Sequence, residues 1–176
     1  MERIGASGSG TTTIAKALCD RLNYLHLDTD NFFWEVTPQP FTTIRPIEKR
    51  KNLLQKELES NKKWILSGSL CGWGDVFIPY FDFVVFVYLQ KEIRLERLKK
   101  REYERYGDSI LSNGEMYEKS QDFISWASKY DDSTEIGRNL QRHEQWFSEI
   151  KCRKLKIENC GTVSESVDEI LRICIQ

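Results

Sequence analysis

The sequence predicts an α/β fold built on a parallel sheet, and three observations carry that prediction. Short apolar runs alternate with longer stretches of helical period, the pattern of successive βαβ units. The run Phe83-Val84-Val85-Phe86-Val87-Tyr88-Leu89 is continuously apolar, as a strand covered on both faces must be. A glycine-rich turn stands where a first strand would feed a first helix. At 176 residues the chain has the length of about one domain, and 1–176 is expected to form a single unit with one core.

Each element follows from local pattern. Only Met1-Glu2-Arg3-Ile4 precede the turn, short and polar for a buried central strand, which predicts either a stunted strand or missing residues. Ile14, Leu18 and Leu22 recur every four residues, so Thr11 to about Asn23 reads as an amphipathic helix. Tyr24–Leu27 is a short strand ending in Asp28-Thr29-Asp30, and Ile47, Leu54 and Leu58 share one face of a helix over 46–60. Trp64-Ile65-Leu66 is a buried strand that runs into the glycine-rich stretch Ser67 to Gly74. After the apolar strand come a charged helix at about 91–105, a polar stretch with Gly107, Asn113 and Gly114, and a helix near 115–129. Asp132-Ser133-Thr134-Glu135 has the form of a capping box opening a helix whose Ile136, Leu140, Phe147 and Ile150 face the core. Leu155–Ile157 is a last strand, and Thr162 with Glu165 caps a terminal helix carrying Val167, Ile170, Leu171 and Cys174.

The motif with the most chemistry in it is Gly5-Ala6-Ser7-Gly8-Ser9-Gly10-Thr11-Thr12. Glycines let the backbone curl so that successive N–H groups point inward at phosphate oxygens, and the helix that follows adds its positive end. The Thr12 hydroxyl stands where Mg²⁺ would be coordinated. The same residues also read as an ordinary glycine-rich turn between strand and helix. The motif departs from its usual form at Thr11, which occupies the position of the lysine that normally bridges the outer phosphates. Either another cation takes that role, or the protein binds nucleotide and transfers phosphate poorly. Lys16 lies more than a helical turn away and reads as a surface residue.

These residues, with Asp28-Thr29-Asp30, the glycines after the third strand, Arg97 and Arg101 before a polar segment, and Asp131-Asp132 followed by Arg138, resemble the nucleoside-monophosphate kinase and shikimate kinase group of P-loop proteins. Within it they are similar to adenylate-kinase-like ATPases of the AAA type, and the resemblance covers nearly the whole chain. It implies a three-layer P-loop NTPase fold, a five-stranded parallel sheet in the order 2-3-1-4-5 flanked by helices, with a small helical lid at about 102–130. It also implies an acceptor-binding segment at about 31–60. The cofactors it implies are ATP, cradled by Gly5, Ala6, Ser7, Gly8, Ser9, Gly10, Thr11 and Thr12, and Mg²⁺, held by Thr12 and, through water, by Asp28. Asp30 would orient the acceptor hydroxyl and accept its proton, while Arg97, Arg101 and Arg138 would meet the transferred phosphate.

The residues themselves leave alternatives open. Asp28 and Asp30 end a strand, where open α/β sheets bind ligands, but two aspartates there also serve as a turn and helix N-cap. Arg94, Arg97, Arg101 and Arg105 share one helix face, and Glu92, Glu96, Glu102 and Glu104 interleave with them as on a solvated, salt-laced surface. That solvated reading is preferred for Arg94 and Arg105. Arg142, one turn beyond Arg138, is a second candidate to replace the missing lysine. Phe32, Phe33, Trp34, Phe41 and Trp73 read either as a stacking surface for a base or as core. His26 reads as a strand residue and His143 as a weak site candidate.

Composition narrows the classes further. Twenty-six basic residues against 27 acidic ones give a net charge of −1, which argues against nucleic acid and against a membrane surface as partner. No apolar run approaches the roughly 20 residues of a spanning helix, and the first residues lack the apolar stretch of an export signal. Five scattered cysteines without a Cys-x-x-Cys pair read as reduced thiols, so a cytoplasmic location is expected. The expected partners are a nucleotide and a small-molecule acceptor. The leading expectation is a kinase that moves the γ-phosphate of ATP to a nucleoside, nucleotide or other hydroxylated metabolite; the other is a catalytically weak nucleotide-binding regulatory or accessory module.

Overall fold

The computed structural model describes residues 1–132 and 137–174. Five strands, β1 (Glu2–Gly5), β2 (Leu25–Asp28), β3 (Trp64–Ser67), β4 (Phe83–Tyr88) and β5 (Arg153–Glu158), pair in parallel in the order β2-β3-β1-β4-β5. This is the expected sheet. Around it run α1 (Thr11–Leu22), α2 (Thr29–Phe33), α3 (Ile47–Ser60), α4 (Lys91–Tyr106), α5 (Tyr117–Ser128), α6 (Leu140–Glu149) and α7 (Val163–Cys174). No helix among the described residues is long and apolar enough to cross a membrane.

Two cores sandwich the sheet, because alternate residues of each strand point to opposite faces. One joins Leu66, Val84 and Phe86 to Leu54 and Leu58 of α3 and Trp146 of α6. The other joins Ile65, Val85 and Val87 to Ile14 and Leu18 of α1 and to Val167 and Ile170 of α7. The apolar faces read from helical period are mostly the buried ones, but Ile47, expected on the inner face of α3, is exposed at the start of that helix, and Ile136 lies outside the described residues.

The first strand departs from expectation. Although polar, β1 is the central strand, and all four of its residues are buried. Glu2 and Arg3 are both 0% exposed, and among the described residues neither side chain has a hydrogen-bond partner. Burial raises the Glu2 carboxyl well above the usual carboxylate range and lowers Arg3 to about 10. Ladder pairing explains why so polar a segment is buried. Glu2 and Arg3 face Leu66 and Ser67 on one side and Val84 and Val85 on the other, so the backbone is fully engaged whatever the side chains prefer.

Other differences are local. Asp28 is followed at once by the short helix α2, with its carboxylate accepting from the Asp30 N–H at 3.1 Å, so the N-cap reading of this aspartate holds. The expected capping box at 132–135 falls mostly outside the described residues. The helix beyond it starts at Leu140, where the Asn139 side chain caps it by accepting from the Arg142 N–H at 2.8 Å. The terminal helix keeps its predicted box: the Glu165 N–H donates to Thr162 Oγ1 at 3.2 Å and the Thr162 N–H to Glu165 Oε2 at 2.7 Å.

Candidate functional site

The turn after β1 wraps the N-terminal end of α1 at the carboxyl edge of the sheet. Gly8 and Gly10 take positive φ of 84° and 94°, which a side chain at either position would strain. Space is also short, since a Cβ on Gly8 would lie 2.8 Å from the Arg94 carbonyl and one on Gly10 would lie 2.5 Å from Asn159 Nδ2. The neighbours hold the turn from outside. The Asn159 amide donates to the Ser9 carbonyl at 2.7 Å and is itself fixed by Ser166 Oγ at 3.1 Å. Asn159 carried no signal in the sequence, because it sits 150 residues from the turn it braces.

The acids lie beside the turn. Thr12 Oγ1 donates to Asp28 Oδ2 at 3.1 Å, and Ser67 Oγ lies 3.5 Å from the same hydroxyl. A hydroxyl and a carboxylate in contact at the head of α1 are hard oxygen donors and fit Mg²⁺, which takes one or two protein oxygens and completes its shell with phosphate and water. Asp30 faces the same cavity. Desolvation in the cleft, then the charge of Asp28, raises its carboxyl above the ordinary aspartate value, against the pull of Arg138 and Arg101.

Cations gather opposite. Arg138 Nη2 donates to Ser7 Oγ at 2.7 Å, placing a guanidinium on the phosphate turn itself, and the same group stacks 4.9 Å above Trp126 of α5. Burial in the cleft lowers Arg138 from the usual arginine value, and Asp30 opposes that shift. Arg97 and Arg101 of α4 line the cavity. Arg97 Nη1 lies 3.8 Å from the space above Gly10, and Arg101 packs over Phe123 at 5.8 Å. Arg142 is nearer the loop after β3, with Nη2 2.9 Å from the space above Gly72. Thr11 lines the cavity as well, while Lys16 is exposed and does not.

Arg94 overturns the solvated reading of its helix position. It is 0% exposed, donates from Nε to the Leu89 carbonyl at 3.1 Å and from Nη1 to the Ser7 carbonyl at 3.4 Å, and pairs with Asp131. The physical reason is distance: its helix passes close behind Gly8, so the face carrying Arg94, Leu98 and Glu102 is interior while Glu92 and Glu96 reach solvent. Arg105 is partly exposed, pairs with Glu102 at 3.9 Å and stacks 4.9 Å from Phe41 at the cavity rim.

Across the cleft the cavity, about 1000 Å³ in volume, is walled by aromatics. Phe33, Trp34 and Phe41 face it, whereas Phe32 belongs to the core and Trp73 belongs to both. Phe123 and Trp126 supply a second aromatic wall from α5 that the sequence did not reveal, since nothing local separates a helix face turned to a cavity from one turned to core. The 34–45 segment doubles back through a Trp34–Ile44 bridge and meets α5, where Lys119 Nζ donates to Gln39 Oε1 at 2.8 Å.

Comparison with known proteins bears on the family and the fold. A family model described as an AAA domain matches residues 4–122. An uncharacterized protein of Bacillus subtilis, YqaC, is 48% identical over 168 residues, covering 96% of this chain and 93% of the relative. A cytidylate kinase of Archaeoglobus fulgidus is 28% identical over 109 residues, 56% of this chain and 59% of that protein. Among solved structures, a shikimate kinase from Acinetobacter baumannii in complex with shikimate superposes with a TM-score of 0.57 at 19% identity, over 99% of this chain and 91% of that one. The chain belongs to the AAA domain family, and its fold is that of the shikimate kinase it superposes on.

Proposed function

We propose that the protein is a small-molecule phosphotransferase that moves the γ-phosphate of ATP to an oxygen of an acceptor held between the aromatic walls. The observation that carries this reading is the convergence, on one cavity, of the phosphate turn, the Asp28–Asp30 pair and guanidinium groups from two segments of the chain. In this reading residues 5–12 cradle the phosphates of ATP, about 31–60 bind the acceptor, and about 102–130 act as the lid of a single domain.

Asp30 takes the proton of the acceptor hydroxyl, whose oxygen then forms a bond to the γ-phosphorus as the bond to the β–γ bridging oxygen breaks and ADP leaves. Its raised pKa suits it to that exchange. Arg97, Arg101 and Arg138 meet the charge spread over the equatorial oxygens of the transferred group. Arg138 stands closest to the turn and supplies the cation that Thr11 does not. Thr12 and Asp28 would hold Mg²⁺, whose chemistry is to neutralise phosphate charge.

The relative named for cytidylate and the fold likeness to a shikimate-bound kinase suggest the first acceptors to try, and the aromatic walls suit a planar ring. A second reading, a nucleotide-binding module without efficient transfer, is favoured by Thr11 alone. The two separate on turnover. ATP loss is measured with cytidine monophosphate, nucleosides, shikimate and sugar acids, on the wild type and on Asp30→Asn. Acceptor-stimulated loss that Asp30→Asn abolishes supports the kinase. ATP binding with no acceptor dependence across the panel favours the module.

A further inference from the structure

Beneath the acceptor side of the cavity lies a polar group that the transfer chemistry does not use. Ser69, two residues after β3, lines the cavity, and its Oγ lies 2.9 Å from His143 Nε2. The other ring nitrogen, Nδ1, lies 2.8 Å from the Tyr130 hydroxyl. His143 is 0% exposed and Tyr130 is 4% exposed. The three residues come from the loop after β3, from α6 and from the segment just beyond α5, so tertiary structure alone brings them together.

A neutral imidazole donates from one nitrogen and accepts at the other. Burial, then the charges of Arg138 and Arg142, lowers His143 to about 3, so the ring is neutral at physiological pH. Among the described residues His143 Nδ1 is the only hydrogen-bond partner of the Tyr130 hydroxyl. If Nδ1 carried the proton, the phenolic hydrogen would be buried without an acceptor among these residues, which is costly. Tyr130 therefore donates to Nδ1, and the ring carries its proton on Nε2 and donates to Ser69 Oγ. The hydroxyl hydrogen of Ser69 is then left to point elsewhere, toward the cavity and the neighbouring Cys71 sulfur, a weak acceptor that lines the same cavity.

We infer that Tyr130 and His143 are positioning residues that turn the Ser69 hydroxyl into a fixed hydrogen-bond donor toward the cavity, making Ser69 a specificity-determining residue for an oxygen of the acceptor. This rests on the reading of the cavity as the acceptor site. A site built to donate one hydrogen bond selects strongly against a molecule that lacks the matching oxygen, because the donor is then left unpaired. The relay also ties the floor of the acceptor site to the end of the proposed lid, since Asp131, which pairs with Arg94, directly follows Tyr130.

The test uses the full chain, which has two histidines and so gives simple spectra. Long-range ¹H–¹⁵N correlation of uniformly labelled protein, with His26→Gln as the assignment control, reads the tautomer of His143. The expected result is a bare Nδ1 and a protonated Nε2, unchanged from pH 5 to 8, and a growing Nδ1–H population in Tyr130→Phe. A protonated Nδ1 in the wild type, or an imidazolium at pH 7, overturns the relay. In the acceptor panel, Ser69→Ala is expected to raise acceptor KM about tenfold or more with KM for ATP unchanged. His143→Gln, whose amide nitrogen can replace Nε2, is expected to stay within about threefold of wild type, and His143→Leu to match Ser69→Ala. Equal losses on both substrates, or no loss in Ser69→Ala, overturn the role of Ser69. A protein that binds no ATP sinks the kinase reading instead, and the tautomer still decides the relay.

Discussion

Around the phosphate turn the chain is cross-tied from every side, whereas the acceptor end of the same cavity is assembled from a loop and a helix that touch through few groups. At the first end Asn159, Arg94, Arg138 and Asp28 each bond to residues 7–12, and two positive-φ glycines leave no room for alternatives. At the second, Gln39 joins the 34–45 segment to α5 through Lys119 and Met116, and Phe41 meets Arg105, while Val36 and Ile44 stand exposed. In the proposed function the difference follows from what each end would hold. Phosphate is the same in every nucleotide and can be met by a rigid backbone cradle, but an acceptor has to enter, be enclosed and leave.

The contrast yields predictions that differ in size. The largest concerns Asp30, where the two ends meet. Asp30→Asn is expected to lower kcat by about 10²–10⁴-fold while ATP affinity stays within about twofold. Because the carboxyl must be ionised to accept a proton and its pKa is raised, the wild-type rate should climb with pH above the ordinary aspartate value and then level off. Asp30→Asn should lose that limb of the profile.

Next comes the bracing of the cradle. Arg94→Leu leaves Asp131 without its partner and frees the Leu89 and Ser7 carbonyls, so a loss of about 3 kcal/mol in unfolding free energy is expected by chemical denaturation. A loss as small as that of a surface arginine would contradict the cross-tied description.

Glu2 offers a sharper contrast, because there the sheet beneath the cradle is less well satisfied than the cradle itself. The unfolded chain releases the Glu2 proton near 4.5 and the folded chain holds it to well above that, so stability falls as pH rises through that window. Glu2→Gln should flatten this slope and stabilise the protein by about 2 kcal/mol at pH 7, read from denaturation at several pH values. The smallest effect is expected at the acceptor end. Gln39→Ala should change stability by less than about 0.5 kcal/mol, yet speed amide exchange across 34–45.

The same contrast explains what could be read from the sequence. The phosphate turn, the strands and most helices were legible because each is specified locally, by glycine spacing or by the period of apolar residues. Arg94 is misread because its interleaved glutamates Glu92, Glu96 and Glu104 are a true surface pattern, and only the approach of α4 to Gly8 makes the Arg94 face interior. The burial of Glu2 and Arg3 was misread for the opposite reason, since strand pairing on both sides outweighs side-chain preference. The links Asn159–Ser9, Arg138–Ser7 and His143–Ser69 span 150, 131 and 74 residues, and no local pattern encodes contacts at such separations.

We propose that Arg138 supplies at the phosphate turn the cation that Thr11 does not. Calorimetric titration with ATP and Mg²⁺ of the wild type, Arg138→Ala and the double variant Arg138→Ala/Thr11→Lys tests it directly. The expected results are micromolar binding by the wild type, about tenfold weaker binding by Arg138→Ala, and recovery when the lysine is restored. Undiminished affinity in Arg138→Ala, or no binding by the wild type, would contradict it.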